Sequence, residues 1–246
     1  MKIRTILVII QRSNGDVLLS ASLINQLNDN LRPEGIDLLV NIDTLPIAKT
    51  LSNIRQIHTF SYKEKNENQL NQERKIIKKI YRKYDLSINL TSSDRSVIYA
   101  LLASKKTISA VEKNNLKSWW KKIFLKHHYN FDLDSHILTN NLKPLSFLGL
   151  DTINQQDPPK SSKVGSDAMR NKLYKLKITK FVIFHPSAQY NYKVYDKKLR
   201  NDLLYLLSTL NISVIISGGK NEIDTEIKTS LPKLKNIYDF IGDTSI

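Results

Sequence analysis

The run over residues 3–10, apolar without break from Ile6 to Ile10, is the strongest constraint on this chain. Such a run has no polar face, so a strand built from it must be covered on both sides. Parallel sheets flanked by helices provide that cover. A turn at Ser13-Asn14-Gly15-Asp16 then leads into helical spacing over 17–27. The alternation continues, with strands predicted over 36–40, 56–60, 86–90 and 107–110, and helices over 45–51, 70–84, 92–102 and 135–148, the last ended by Gly149. Residues 155–174 lose periodicity around Pro158 and Pro159 and read as a linker. Strands over 180–185, 213–217 and 236–238 and helices over 197–210 and 222–230 follow. Repeated strand–helix alternation on either side of a linker predicts an α/β fold of two Rossmann-like domains, 1–154 and 175–246. The second has only three predicted strands, half of a doubly wound sheet, and its last strand is expected to lack full cover. The chain is therefore expected to be a fragment.

Composition narrows the chemistry. There are no cysteines among the 246 residues, which excludes disulfides, thiolate zinc sites and cysteine nucleophiles. No apolar run reaches the roughly 18–20 residues that cross a bilayer, and the start of the chain does not read as a signal peptide. The sequons at Asn89 and Asn211 fall in or beside predicted strands and read as coincidence. A net charge of +15 favours anionic partners, although lysine used for solubility gives the same excess.

Three loops at the carboxyl ends of predicted strands carry the reactive side chains, which is where α/β sheets bind ligands. In the first, Gly15 lets backbone approach a ligand, and Asp16 is either a general base at a helix N-terminus or an ordinary cap. In the second, His185-Pro186-Ser187-Ala188-Gln189-Tyr190-Asn191-Tyr192-Lys193, Lys193 is either a mobile cation for an anionic group or a plain loop lysine. In the third, Ser217-Gly218-Gly219-Lys220-Asn221-Glu222, Glu222 either accepts from ribose hydroxyls or caps a helix.

In order along the chain, these pieces resemble glycosyltransferase family 9, the ADP-heptose:lipopolysaccharide heptosyltransferases. The resemblance rests on five landmarks. They are the opening strand with Ser13-Asn14-Gly15-Asp16, the stretch from Asp85 to Ser96, His136 through Leu148-Gly149-Leu150, Phe184-His185-Pro186-Ser187-Ala188 with Lys193, and Gly218-Gly219 with Glu222. It implies a GT-B type fold, with two Rossmann-like domains facing each other and the second incomplete. The first would bind acceptor and the second nucleotide-sugar. Asp16 would be the base for an inverting transfer, and Lys193 would stabilise the leaving diphosphate. Ser187, Lys193, Gly218, Gly219 and Glu222 would bind donor, and Ser13, Asn14, Gly15, Asp94 and Arg95 acceptor. The resemblance implies no cofactor and no metal. Tyr195 and Ser187 stand where the family has tryptophan and glycine. The family's later Asp-Ser-Gly-x-x-His and Gly-Pro-Thr-like motifs do not occur, so a truncated, non-catalytic remnant is one alternative and a transferase for another nucleotide sugar is a second.

The implied partners are an ADP-heptose-like donor and a phosphorylated lipid A-core acceptor at the cytoplasmic face of the inner membrane, met by a monomer. Basic residues crowd 63–83, and Lys113, Lys117, Lys121, Lys122 and Lys126 interleave with Trp119, Trp120 and Phe124. This second segment reads as an interfacial helix for peripheral inner-membrane contact, or as tryptophans packed on the sheet with solvated lysines. His127-His128 lacks the spacing of a metal site. A basic nucleic-acid-binding protein is the rival from another class. No recognised binding motif supports it, so no nucleic acid is expected as a partner.

Overall fold

The computed structural model describes residues 2–113, 118–153, 163–188 and 190–243. The chain divides into two compact units, Met1–Lys160 and Ser161–Ile246.

The first unit holds strands β1 (Thr5–Ile10), β2 (Gly35–Asn41), β3 (Gln56–Phe60), β4 (Leu86–Asn89), β5 (Thr107–Glu112) and β6 (His127–Phe131) in one sheet ordered β3-β2-β1-β4-β5-β6. All its pairings are parallel. Its helices are α1 (Asn14–Leu18), α2 (Ala21–Leu31), α3 (Leu45–Ala48), α4 (Tyr62–Ile80), α5 (Asp94–Ala103), α6 (Trp119–Phe124) and α7 (Ile137–Leu142). The expected double burial of β1 holds, since Ile6 through Ile10 have no exposed surface. Ile6, Val8 and Ile10 pack with Leu23, Ile24 and Leu27 of α2. Leu7 and Ile9 face the other way, onto Ile76 and Ile80 of α4 and Tyr99 and Ala100 of α5. Period-two alternation thus divides one strand between two cores.

The second unit has a parallel sheet ordered β7 (Phe181–Phe184), β8 (Ser213–Ile216), β9 (Ile237–Asp239). It carries helices α8 (Lys163–Lys175), α9 (Lys197–Ser208) and α10 (Glu222–Thr229). Leu204, Val214, Ile216, Ile227 and Ile241 form its core.

Several expectations need correction. Residues 163–174, expected as linker, belong to α8, and 155–162 lie outside the described residues. The helix expected over 17–27 is interrupted, because Ser20 turns its hydroxyl onto the Val17 carbonyl at 2.6 Å and α2 starts afresh. α4 begins at Tyr62, where the Ser61 hydroxyl accepts from Glu64 N–H at 3.2 Å. The helix expected over 135–148 becomes 3₁₀ from Lys143, and Gly149 ends it at φ 67°. Strand β6 was not expected at all. The thinly covered strand of the second sheet is β7, whose Phe181, Val182 and Ile183 are exposed, and not the last one.

The amino ends of β2, β3 and β4 are held by one buried carboxylate. Asp37, within β2, accepts from Arg55 through Nε and an Nη, both at 2.9 Å, and from the Tyr84 hydroxyl at 2.7 Å. His58 Nε2 lies 2.9 Å from that hydroxyl and 3.8 Å from the carboxylate. Burial alone would raise the Asp37 carboxyl, but its polar neighbours His58, Arg55 and Tyr84 outweigh it and hold it well below the usual range. Burial, followed by Asp37 itself, pushes the Tyr84 phenol up.

A depressed folded-state carboxyl contributes fully above its unfolded value, near 4, and the contribution is lost as pH falls toward the folded value. Asp37→Asn is therefore expected to lower stability at neutral pH by about 2–3 kcal/mol. The gap between variant and wild type should narrow as denaturation is repeated at pH values below about 4. A gap independent of pH would remove this carboxylate from the stability account.

Candidate functional site

The strand order of the first sheet reverses beside β1, which has β2 on one side and β4 on the other. Chains leaving such neighbours diverge to opposite faces and open a crevice at the carboxyl edge. The loops after β1 and β4 are bonded together here. Gln11 N–H donates to Thr91 Oγ1 at 2.9 Å, and Leu90 N–H to the Ile9 carbonyl at 2.9 Å. Both side-chain amide atoms of Gln11 and Oδ1 of Asn41 are buried here with no hydrogen-bond partner among the described residues. The edge thus keeps polar capacity that the fold does not use.

Asp16 lies in the single turn of α1. Ser13 caps that turn, and the two form a reciprocal capping box. Asp16 Oδ2 accepts from Ser13 N–H at 3.2 Å, from Ser13 Oγ–H at 2.9 Å and from Arg12 Nε at 3.2 Å. The capping role is thus realised, and these bonds all fall on one oxygen. The Arg12 guanidinium also sits 4.5 Å from the centre of the Phe131 ring, so it is braced from the end of β6. Ser13, Asn14 and Gly15 are exposed. A Cβ at Gly15 would meet nothing within 4 Å, so packing does not demand glycine there and open space adjoins the backbone.

Asp94 and Arg95 open α5 at the same edge. Arg95 stacks its guanidinium 3.6 Å from the Phe60 ring centre and donates to the Tyr62 hydroxyl at 3.1 Å. Asp94 Oδ1 is 2.8 Å from Lys121 Nζ, which also reaches Glu112 Oε2 at 2.8 Å and the Ser92 carbonyl. Lys121 is fully buried. Its expected place in a solvent- or lipid-facing basic stripe is therefore corrected, because it is the internal strut of this corner. Burial would raise the Glu112 carboxyl, but bonds from Lys121 and Ser118 outweigh it and lower the group. The two tryptophans separate. Trp120 packs with Val97, Val111 and Leu125, whereas Trp119 is exposed. Lys117 lies outside the described residues. No group of three or more potential metal ligands occurs among the described residues, and His127 and His128 are strand residues of β6.

In the second unit, the loops after β7 and β8 are joined by Ser217 N–H donating to the Phe184 carbonyl at 3.0 Å. His185 Nδ1 also lies 3.0 Å from Ser217 Oγ. Ser187 is half-buried in the first loop, and Gln189 lies outside the described residues. Lys193 ends a short 3₁₀ turn, Asn191–Lys193, with its ammonium 5.7 and 5.5 Å from the stacked rings of Tyr190 and Tyr192. Tyr195 turns an edge onto Phe184 at 6.0 Å. The Asn221–Asp224 capping box closes the first turn of α10, so Glu222 is not the capping carboxylate and stands exposed. The glycine pair has a packing reason. A Cβ on Gly218 or Gly219 would come within 2.8 Å of the buried Asp224 carboxylate.

Ser13, Asn14, Gly15, Asp16, Asp94 and Arg95 therefore share one edge of the first sheet. Ser187, Lys193, Gly218, Gly219 and Glu222 share the carboxyl edge of the second. Sequence reasoning missed Arg12, Gln11, Asp224 and the buried state of Lys121. The Arg12–Asp16 spacing of four was the one available signal. Lys121→Met is expected to destabilise the first unit by about 1–2 kcal/mol in denaturant unfolding, since it leaves the partly buried Glu112 carboxylate without its cation, while the exposed Asp94 is taken up by water. An unchanged midpoint would mean that Lys121 does not hold this corner.

Residues 73–246 match the sequence profile of the family described as Glycosyltransferase family 9 (heptosyltransferase). Over 221 residues the chain is 26% identical to lipopolysaccharide heptosyltransferase 3 of Escherichia coli, an alignment covering 87% of this chain and 63% of that relative. The chain thus spans under two thirds of the length of the curated relative it matches. The solved glycosyl transferase family 9 protein from Veillonella parvula DSM 2008 superposes with a TM-score of 0.82 at 15% identity, over 99% of this chain and 71% of that one. The E. coli heptosyltransferase WaaC with ADP superposes with a TM-score of 0.71 at 11% identity, over 96% of this chain and 74% of that one. The α/β fold is the GT-B type shared with these proteins.

Proposed function

The chain belongs to glycosyltransferase family 9, and from that premise we propose that it serves an inverting transfer of heptose from ADP-heptose to the phosphorylated inner core of lipopolysaccharide. The observation that carries this reading is Asp16, a carboxylate at the switch-point edge beside exposed backbone, in a chain whose family match runs over 73–246. The choice of donor is supported by WaaC of E. coli, whose solved structures hold ADP and ADP-2-deoxy-2-fluoro heptose. The choice of acceptor is supported by the lipopolysaccharide heptosyltransferase relative.

In this reading residues 1–154 bind acceptor and 175–246 bind donor. Ser13, Asn14, Gly15, Asp94 and Arg95 line the acceptor side, with Arg95 offering charge to a phosphate. Ser187, Gly218, Gly219 and Glu222 hold the nucleotide-sugar, Glu222 accepting from ribose hydroxyls. The acceptor oxygen bonds to the anomeric carbon as the carbon–oxygen bond to the diphosphate breaks. The bonding pair leaves with the diphosphate, where Lys193 balances the charge, and the acceptor proton passes to Asp16. Arg12 and Ser13 occupy Oδ2 of Asp16, which fixes the carboxylate and leaves Oδ1 to face the hydroxyl. No helix among the described residues is long and apolar enough to cross a membrane. Work at the cytoplasmic face of the inner membrane would then be peripheral.

Asp16→Asn is expected to lower transfer by about 10²–10⁴-fold while ADP affinity, followed by calorimetry, stays unchanged. Lys193→Ala should instead weaken ADP binding. Full turnover by Asp16→Asn would end the proposed base role. Absence of ADP binding in the wild type would end the donor assignment and favour the reading of a non-catalytic remnant.

A further inference from the structure

We propose that α6 is a membrane-docking helix that seats the acceptor edge of the first unit on an anionic lipid bilayer. This deepens the proposed function, which places the acceptor in a membrane, and rests on it only for the purpose of docking.

α6 has two unlike sides. Outward it presents Trp119, Ile123 and Phe124, which are 65%, 68% and 67% exposed. Three large apolar side chains on a six-residue helix are a concentrated patch for a surface otherwise rich in cations. The exposed lysines Lys113, Lys122 and Lys126 flank it in sequence. Among the described residues from 113 to 128 there is no acid.

The inner side explains why the helix cannot roll over and bury the patch. The Lys121 ammonium is fixed by Glu112, Asp94 and the Ser92 carbonyl, and Trp120 and Leu125 pack against Val97 and Val111. Turning Trp119 inward would expose a paired buried cation and break up this small core. The fold therefore enforces exposure of the apolar side.

An apolar ridge with a basic surround matches both layers of an anionic bilayer, acyl chains for the ridge and phosphates for the lysines. A nucleic acid would answer the cations and leave the ridge wet. Location adds to the case. Lys121 joins α6 directly to Ser92 and Asp94, at the edge where Asp16 and Arg95 lie. Docking through α6 would bring that edge to the headgroup level, where a lipid-linked sugar is presented.

The test uses the full chain and vesicles, either of phosphatidylcholine alone or of equal parts phosphatidylcholine and phosphatidylglycerol. Wild type is expected to co-sediment with the anionic vesicles, less so as salt rises, and to show a blue shift of tryptophan fluorescence. The triple variant Trp119→Ser, Ile123→Ser, Phe124→Ser should lose about tenfold or more in partitioning, and the pair Lys122→Glu, Lys126→Glu should lose the preference for anionic vesicles. These side chains are exposed, so the melting temperature should hold. Trp119→Ser alone, which should remove most of the blue shift, serves if the triple variant does not fold.

Wild type that ignores anionic vesicles, or variants that partition like wild type, would overturn docking through α6. Calorimetry with ADP on the same proteins separates the two readings. ADP binding without vesicle binding sinks the docking helix alone. Vesicle binding lost in the variants, from a chain that never binds ADP, upholds docking and removes the donor assignment.

Discussion

Strand β1 has no face that meets water, and much of the first unit follows from that. A strand apolar on both faces needs a helical layer on each side, and parallel neighbours need crossovers to supply those layers. With β2 on one flank and β4 on the other, the crossovers diverge, and the edge they leave open is the one holding Asp16. The position of the Asp16 carboxylate and the core thus share one cause. The single turn of α1 carries the chain off the end of β1, and its capping box holds Asp16 at that edge.

That economy also explains why a capping carboxylate and a candidate base look alike in their spacing. Ser13 and Asp16 satisfy each other as a cap does, and in doing so they orient the carboxylate. The glycine pair at 218 and 219 behaves alike. Asp224 requires both positions to lack a side chain, and the same lack keeps the strand end narrow. Glu222 differs, because another residue pair caps its helix and leaves it unemployed by the fold.

The fold was legible where burial is written locally. The strand at 56–60 is found where the alternation put it, and the buried runs at β1, β2 and β4 could hardly be anything else. Legibility failed over 127–131, where paired histidines and polar neighbours mask an edge strand, while the helix beside it was read without its buried side. Lys121 could not be read as internal because its partners Asp94 and Glu112 come from other elements. The Pro-Ser composition shift near 158 was extended too far, over α8, whose first turns carry few apolar residues. For the candidate site, loops after strands brought the named residues of each unit to one carboxyl edge of its own sheet. The supports of Asp16, Arg12 backed by Phe131, depend on a pairing across the sheet that no local pattern encodes.

Strand β7 presents Phe181, Val182 and Ile183 to solvent at the rim of its sheet, and its outer side pairs with no strand among the described residues. Open backbone together with apolar side chains is the template on which a further strand is laid down. At β7 both ingredients stand side by side, whereas β9 at the opposite edge keeps its first two residues half-buried.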